Sequence, residues 1–99
     1  MSSHVVTVVD ARVDPERESE LMEGFRLLIA GDRPDGLVRS ELLRGQEGAW
    51  RIQTTWRDID ALMALRSSGR PHAAQDLVNR LATEHSHGWF TVEQGYGGE

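Results

Sequence analysis

Hydrophobic and polar positions along the chain change period four times, from two to about 3.6 and back, twice over. Val5 to Val13 alternates: Val5, Thr7, Val9, Ala11 and Val13 share one face, and Val6, Val8, Asp10 and Arg12 share the other. Both faces are apolar in the first half, which predicts cover on both sides there. Asp14-Pro15 then opens a helix, with Asp14 as its cap and Leu21, Met22, Phe25, Leu28 and Ile29 as its apolar stripe. Gly31 stops it, and Asp32 to Gly36 reads as a loop. Leu37 to Arg44 is the second strand, and Gly45-Gln46-Glu47-Gly48 is a hairpin turn. The third strand, Ala49 to Trp56, places Trp50, Ile52, Thr54 and Trp56 on one face. Asp58 can cap the helix that follows, in which Ile59, Leu62, Met63 and Arg66 fall on one side. Ser67-Ser68-Gly69-Arg70 breaks that helix. Pro71 restarts it with Ala74, Leu77, Val78 and Leu81 inward, and the last strand is expected over Trp89 to Gln94.

Strand, helix, strand, strand, broken helix, strand predicts a ferredoxin-like α+β fold: an antiparallel sheet with helices on one face. One domain is expected, with its core over about 5–94 and a loose tail at 95–99. Trp50, Ile52, Val8 and Val92 would leave apolar area on the open sheet face, and a second copy of the sheet is the simplest cover.

Composition removes whole classes of function. The net charge is −5, from 16 acidic and 11 basic residues, and no basic run exists; nucleic acid and anionic membrane surfaces are not expected partners. No apolar run approaches a membrane span, and the N-terminus has no signal-peptide core. Cysteine is absent, which excludes disulfides, thiol nucleophiles and thiolate metal sites and makes a reducing cytoplasm the default. Every basic residue is arginine, so lysine Schiff-base chemistry and a Walker lysine are excluded. An arginine-only basic set also hints at a GC-rich bacterial genome.

Three segments carry a family resemblance: the opening VVTVVDARVDPERESEL, the Gly36-Leu37-Val38 start of the second strand, and Trp56 followed by Asp60-Ala61-Leu62. Over about Val5 to Val92 the chain resembles the antibiotic biosynthesis monooxygenase-like family of dimeric α/β-barrel proteins. The resemblance implies a homodimer with facing sheets and a pocket in each subunit between sheet and helices. Among its members are cofactor-free oxygenases that turn polycyclic phenols into quinones, haem-degrading enzymes and isomerases. The chain departs from the family in two places. Leu65 stands where many relatives carry a histidine, and the later family histidine is best matched by His72. The asparagine that haem-degrading relatives carry on an early strand has no counterpart, since Asn79 is the only asparagine and lies on the third helix. That disfavours haem.

Cofactor-free oxygenation needs a group that favours the substrate anion, a dry pocket and donors for developing charge. The catalytic candidates are Trp56, His72 and Arg66. His72 is the candidate base, because histidine is the side-chain type suited to proton transfer at neutral pH, against a plain reading as an exposed residue in a helix's first turn. Trp56 offers an indole N–H and a flat wall, against a role as a packing anchor; the resemblance places it on the pocket. Arg66, on the apolar side of its helix, can hold a phenolate or carboxylate, or simply snorkel. Phe25, Met22 and Met63 are the candidate substrate contacts, together with Trp56. Trp50 serves core or dimer, and Trp89 reads as structural. His85-Ser86-His87 beside Glu84 has two ligands of a metal site and no third, so no metal is expected. No nucleophile elbow supports a Ser-His-Asp hydrolase. The leading expectation is a cofactor-independent monooxygenase acting on a small aromatic phenol or anthrone. The alternative is a non-catalytic ligand-binding or scaffold dimer.

Overall fold

The computed structural model describes residues 3–31, 33–69 and 72–97. Asp32, Arg70, Pro71 and the end of the tail, which the sequence assigned to a loop, a helix break, a helix start and a loose terminus, lie outside the described residues. The chain runs β1 (Val5–Arg12), a 3₁₀ turn (Pro15–Arg17), α1 (Glu18–Ala30), β2 (Leu37–Arg44), β3 (Ala49–Trp56), α2 (Ile59–Ser67), α3 (Ala73–Leu81) and β4 (Glu84–Thr91). The sheet is antiparallel throughout, in the order β2-β3-β1-β4. This is the expected ferredoxin-like α+β arrangement.

Register assigns the two faces. Thr7 pairs with Thr54, Val9 with Ile52 and Ala11 with Trp50. Trp50 and Ile52 therefore join the odd-numbered residues of β1 on the helix-covered face, 5% and 2% exposed. The expectation that they would leave the open face apolar is corrected: alternation fixes parity within a strand, but only pairing fixes it between strands. The open face instead carries Val6, Val8, Gln53, Thr55, the Asp10–Arg51 ion pair (2.6 Å) and Phe90. Phe90 is 61% exposed.

β4 begins at Glu84 rather than Trp89. A two-residue link from α3 forces it alongside β1, where Thr83 N–H donates to Arg12 C=O at 2.9 Å and Glu84 pairs with Arg12. As an edge strand it needs no apolar alternation, so its polar start hid it in the sequence. Asp14 stands before a 3₁₀ turn and makes no side-chain cap bond. Of the expected α1 stripe, Leu21 and Phe25 are buried and Leu28 is half-buried, whereas Met22 and Ile29 are exposed.

The core has two parts. Ala11, Val13, Leu21, Phe25, Trp50, Ile52, Leu77, Val78 and Leu81 pack beneath α1 and α3. Val5, Trp56, Ala61 and Leu62 form a smaller cluster beneath α2. Trp50 belongs to the core: its Nε1–H donates to Glu18 Oε2 at 3.1 Å, and the Arg44 guanidinium lies 4.4 Å from its ring centroid. That contact ties the first turn of α1 to the sheet. No helix among the described residues is long and apolar enough to cross a membrane.

Candidate active site

The corner between β3 and α2 is built as the sequence predicts. Asp58 caps α2, its carboxylate accepting the Ala61 N–H at 2.9 Å. That bond, followed by the Arg57 side chain, holds the Asp58 carboxyl below the usual carboxylate range. Arg57 N–H donates to Gly36 C=O at 2.7 Å, so the loop before β2 is locked to the same corner. Gly36 has φ +85°, and a Cβ there would lie 2.3 Å from Ala61 Cβ. Only glycine lets the loop lie this close to α2.

Trp56 is 5% exposed, and its single donor is engaged: Nε1–H donates to Thr7 Oγ1 at 3.1 Å. Thr7 in turn reaches Thr54 C=O at 3.5 Å, and the Thr54 and Ser40 hydroxyls are 2.9 Å apart. Ser40, Thr54 and Thr7 are cross-strand partners in one row, and Trp89 completes it beyond Thr7. A β-bulge between Leu37 and Arg39 restores the parity that turns both Leu37 and Ser40 inward. Arg33 steadies that bulge by donating to the carbonyls of Leu37 (2.9 Å) and Val38 (2.6 Å). The hydroxyl row crosses the covered face of the sheet, and none of its three hydroxyl residues belongs to either apolar cluster. Sequence reasoning missed it, although Thr7 and Thr54 each interrupt an otherwise apolar face.

The six candidate site residues are distributed as follows. Trp56 lies in the smaller cluster and Phe25 in the larger. Met22 and Met63 are 43% and 38% exposed on α1 and α2. Arg66 is exposed; the buried side of α2 is Ala61 and Leu62 with Leu65 partly covered, not the face holding Ile59, Met63 and Arg66. His72 is exposed at the N-cap of α3, with no side-chain cap bond. Two surface clefts, of about 360 and 380 Å³, lie between α1 and α3 and between α2 and the loop before β2. None of the six residues lines either. Trp89, expected to be structural, is 43% exposed on the helix-facing side of β4. Among the described residues no group of three or more His, Asp or Glu converges as a metal site. His87 Nδ1 instead lies 3.3 Å from the Gln75 amide.

The fold and the indole-bearing corner define a ferredoxin-like α+β protein with a row of hydroxyls on the covered sheet face. Residues 4–77 match the antibiotic biosynthesis monooxygenase family, and the chain belongs to that family. The resemblance drawn from the sequence is thereby confirmed. Among solved structures, a single-residue variant of SnoaB, a cofactor-independent oxygenase from Streptomyces nogalater, is 26% identical, with 95% of this chain and 97% of that one covered and a TM-score of 0.72. A heme-degrading protein from Mycobacterium tuberculosis is 22% identical over 99% of this chain and 100% of its own, with a TM-score of 0.70. A conserved protein from Methanosarcina mazei is 16% identical over 89% and 91%, also with a TM-score of 0.70. These last two show the fold alone. No curated protein matches the chain.

Proposed function

We propose that the protein is a cofactor-independent monooxygenase acting on a small aromatic phenol or anthrone, as a homodimer joined through the open sheet face. The observation that carries this reading is Trp56 at the sheet-to-helix corner, its indole N–H bound into a row of hydroxyls on the covered face. Similarity to SnoaB over nearly the whole chain supports the same class of chemistry. An anthrone supplies its own electrons. Two hydrogens leave the methylene carbon, one oxygen atom of O₂ becomes the new carbonyl oxygen, and the other departs as water. The protein contributes anion stabilisation, positioning and exclusion of water. His72 and Arg66 are the proposed catalytic groups, Trp56 orders the hydroxyl row that faces the substrate, and Phe25, Met22 and Met63 are the proposed substrate contacts. Val6, half-buried, and Phe90, exposed, are the open-face apolar side chains a second copy would cover. The absence of cysteine fits a reducing cytoplasm.

The test is oxygen uptake by chelator-treated protein with an anthrone or hydroquinone. Turnover above the uncatalysed rate supports the reading, and none across a panel of such phenols ends it. His72→Ala should lower the rate; full activity would remove His72 alone. The exposed positions of Arg66, Met63 and His72 favour one second reading, a ligand-binding dimer without turnover. Saturable phenol binding with no oxygen uptake would select it.

A further inference from the structure

The oxygenase reading leaves open which atom meets the substrate oxygen, and the hydrogen bonds around Trp56 bear on it. An indole has one donor, and that of Trp56 already goes to Thr7 Oγ1 at 3.1 Å from a ring only 5% exposed. Resting on that reading, we propose that the Thr7 hydroxyl is the donor that holds the substrate's phenolic oxygen. Trp56 acts through Thr7 as a positioning residue, and Trp89 forms the wall for the aromatic ring.

A threonine hydroxyl has one donor and two acceptor sites. The Trp56 N–H occupies an acceptor site. The Thr7 proton is left with Thr54 C=O at 3.5 Å, long for an O–H···O bond, and is free to turn toward a better acceptor. Thr54 cannot take this role, because it is 8% exposed and its hydroxyl is paired with Ser40 at 2.9 Å. Thr7 is only half-buried and its neighbour Trp89 is 43% exposed, so this end of the row is more open than Thr54. Because its oxygen already receives an N–H, its own donation is strengthened, as in any hydrogen-bond chain. A phenolate at Thr7 gains from this more than the neutral phenol does, so the bound phenol should ionise more readily. Trp89 is the direct cross-strand partner of Thr7, with its side chain on the same face and 43% exposed. Such partners sit about 5 Å apart at Cβ, the spacing needed for a ring to lie on the indole while its oxygen meets the hydroxyl.

The experiment uses the full chain and para-nitrophenol, whose yellow phenolate reports its own ionisation in the bound state. The wild-type protein should bind it saturably and ionise it at lower pH than free solution does. Thr7→Val removes the hydroxyl at constant shape and should cut the phenolate-to-phenol ratio of bound probe by about tenfold at a given pH. Thr7→Ser should restore it, and Trp56→Phe should give an intermediate loss. Trp89→Ala should weaken binding by about tenfold without changing bound-state ionisation, and Trp89→Phe should bind like wild type. If Thr7→Val alone does not fold with its indole N–H unpaired, the double variant Thr7→Val/Trp56→Phe removes both partners and is read in its place. Unchanged ionisation in the Thr7 variant, or no saturable binding by the wild type, overturns the proposal. Shifted ionisation without oxygen uptake would end the oxygenase reading and leave Thr7 in place. Full oxygenase turnover with unshifted ionisation in Thr7→Val would do the reverse.

Discussion

Gly36→Ala tests the corner on which the site is built. The residue has φ +85°, and a methyl group there would meet Ala61 Cβ at 2.3 Å. Gly69 is its natural control, with φ +76° and nothing within 4 Å of where a methyl would stand. Both substitutions incur the penalty of an L side chain at positive φ, about 1–2 kcal/mol. Only Gly36→Ala adds a contact that cannot relax by rotating a side chain, because Ala61 has none to rotate and sits in α2. Separating the loop from the helix should cost about a further 1–3 kcal/mol. For a domain of 99 residues, each kcal/mol lowers Tm by about 4–8 °C. Gly69→Ala should therefore lose about 4 °C or more, and Gly36→Ala at least about 8 °C. Thermal unfolding followed by circular dichroism, at one protein concentration for all samples, measures both. The close-approach account of the corner fails if Gly36→Ala is no less stable than Gly69→Ala.

Light scattering should return twice the chain mass, and Phe90→Arg, which places a charge on the open sheet face, should return the monomer; a dimer unaffected by Phe90→Arg would move the interface elsewhere. Asp58→Ala should lower stability at neutral pH, and its deficit relative to wild type should fade in acid. Because the folded carboxyl titrates below its unfolded value, the cap contributes fully above about pH 4 and is lost as pH falls through the folded pKa; a deficit that grows in acid would contradict this assignment. Glu18→Gln keeps an acceptor for the Trp50 indole but removes the charge facing Arg44, so it should cost less than Glu18→Ala, which leaves a buried N–H without its partner and should lose about 1–3 kcal/mol in denaturant unfolding.

The hairpin and its flanking helix were legible because their signals are local. Leu37–Arg44 and Ala49–Trp56 have the predicted bounds, set by alternation and a glycine-rich turn, and Asp58 caps α2 as its side chain allows. β4 was displaced because its boundary depends on pairing with a strand more than seventy residues earlier, between Glu84 and Arg12. Pairing also decides which faces coincide, so the same missing information sent Trp50 and Ile52 to the open side. The site suffered in the same way. Trp56 was visible at its corner, but its acceptor, Thr7, becomes a neighbour only once β1 lies beside β3. Arg66 and Met63 were drawn inward by a helical wheel that α2 rotates outward, toward Ala61 and Leu62 instead.

The division of the core explains why hydroxyls can sit on its floor. A buried hydroxyl is costly unless bonded, and here each finds a partner: Ser40 with Thr54, Thr7 with Trp56. The row falls between the cluster under α1 and α3 and the cluster under α2, where apolar packing is interrupted in any case. Polar groups at such a seam forfeit less packing than they would inside either cluster. They also keep a partly accessible side, at Thr7 and Ser40. The larger cluster supplies most of the buried apolar surface, so the smaller one is free to be specialised around Trp56. Loss of the Thr7 hydroxyl, which leaves the Trp56 N–H unpaired, should consequently cost about 1–3 kcal/mol, and truncation of Leu21 to alanine in the larger cluster about 2–5 kcal/mol.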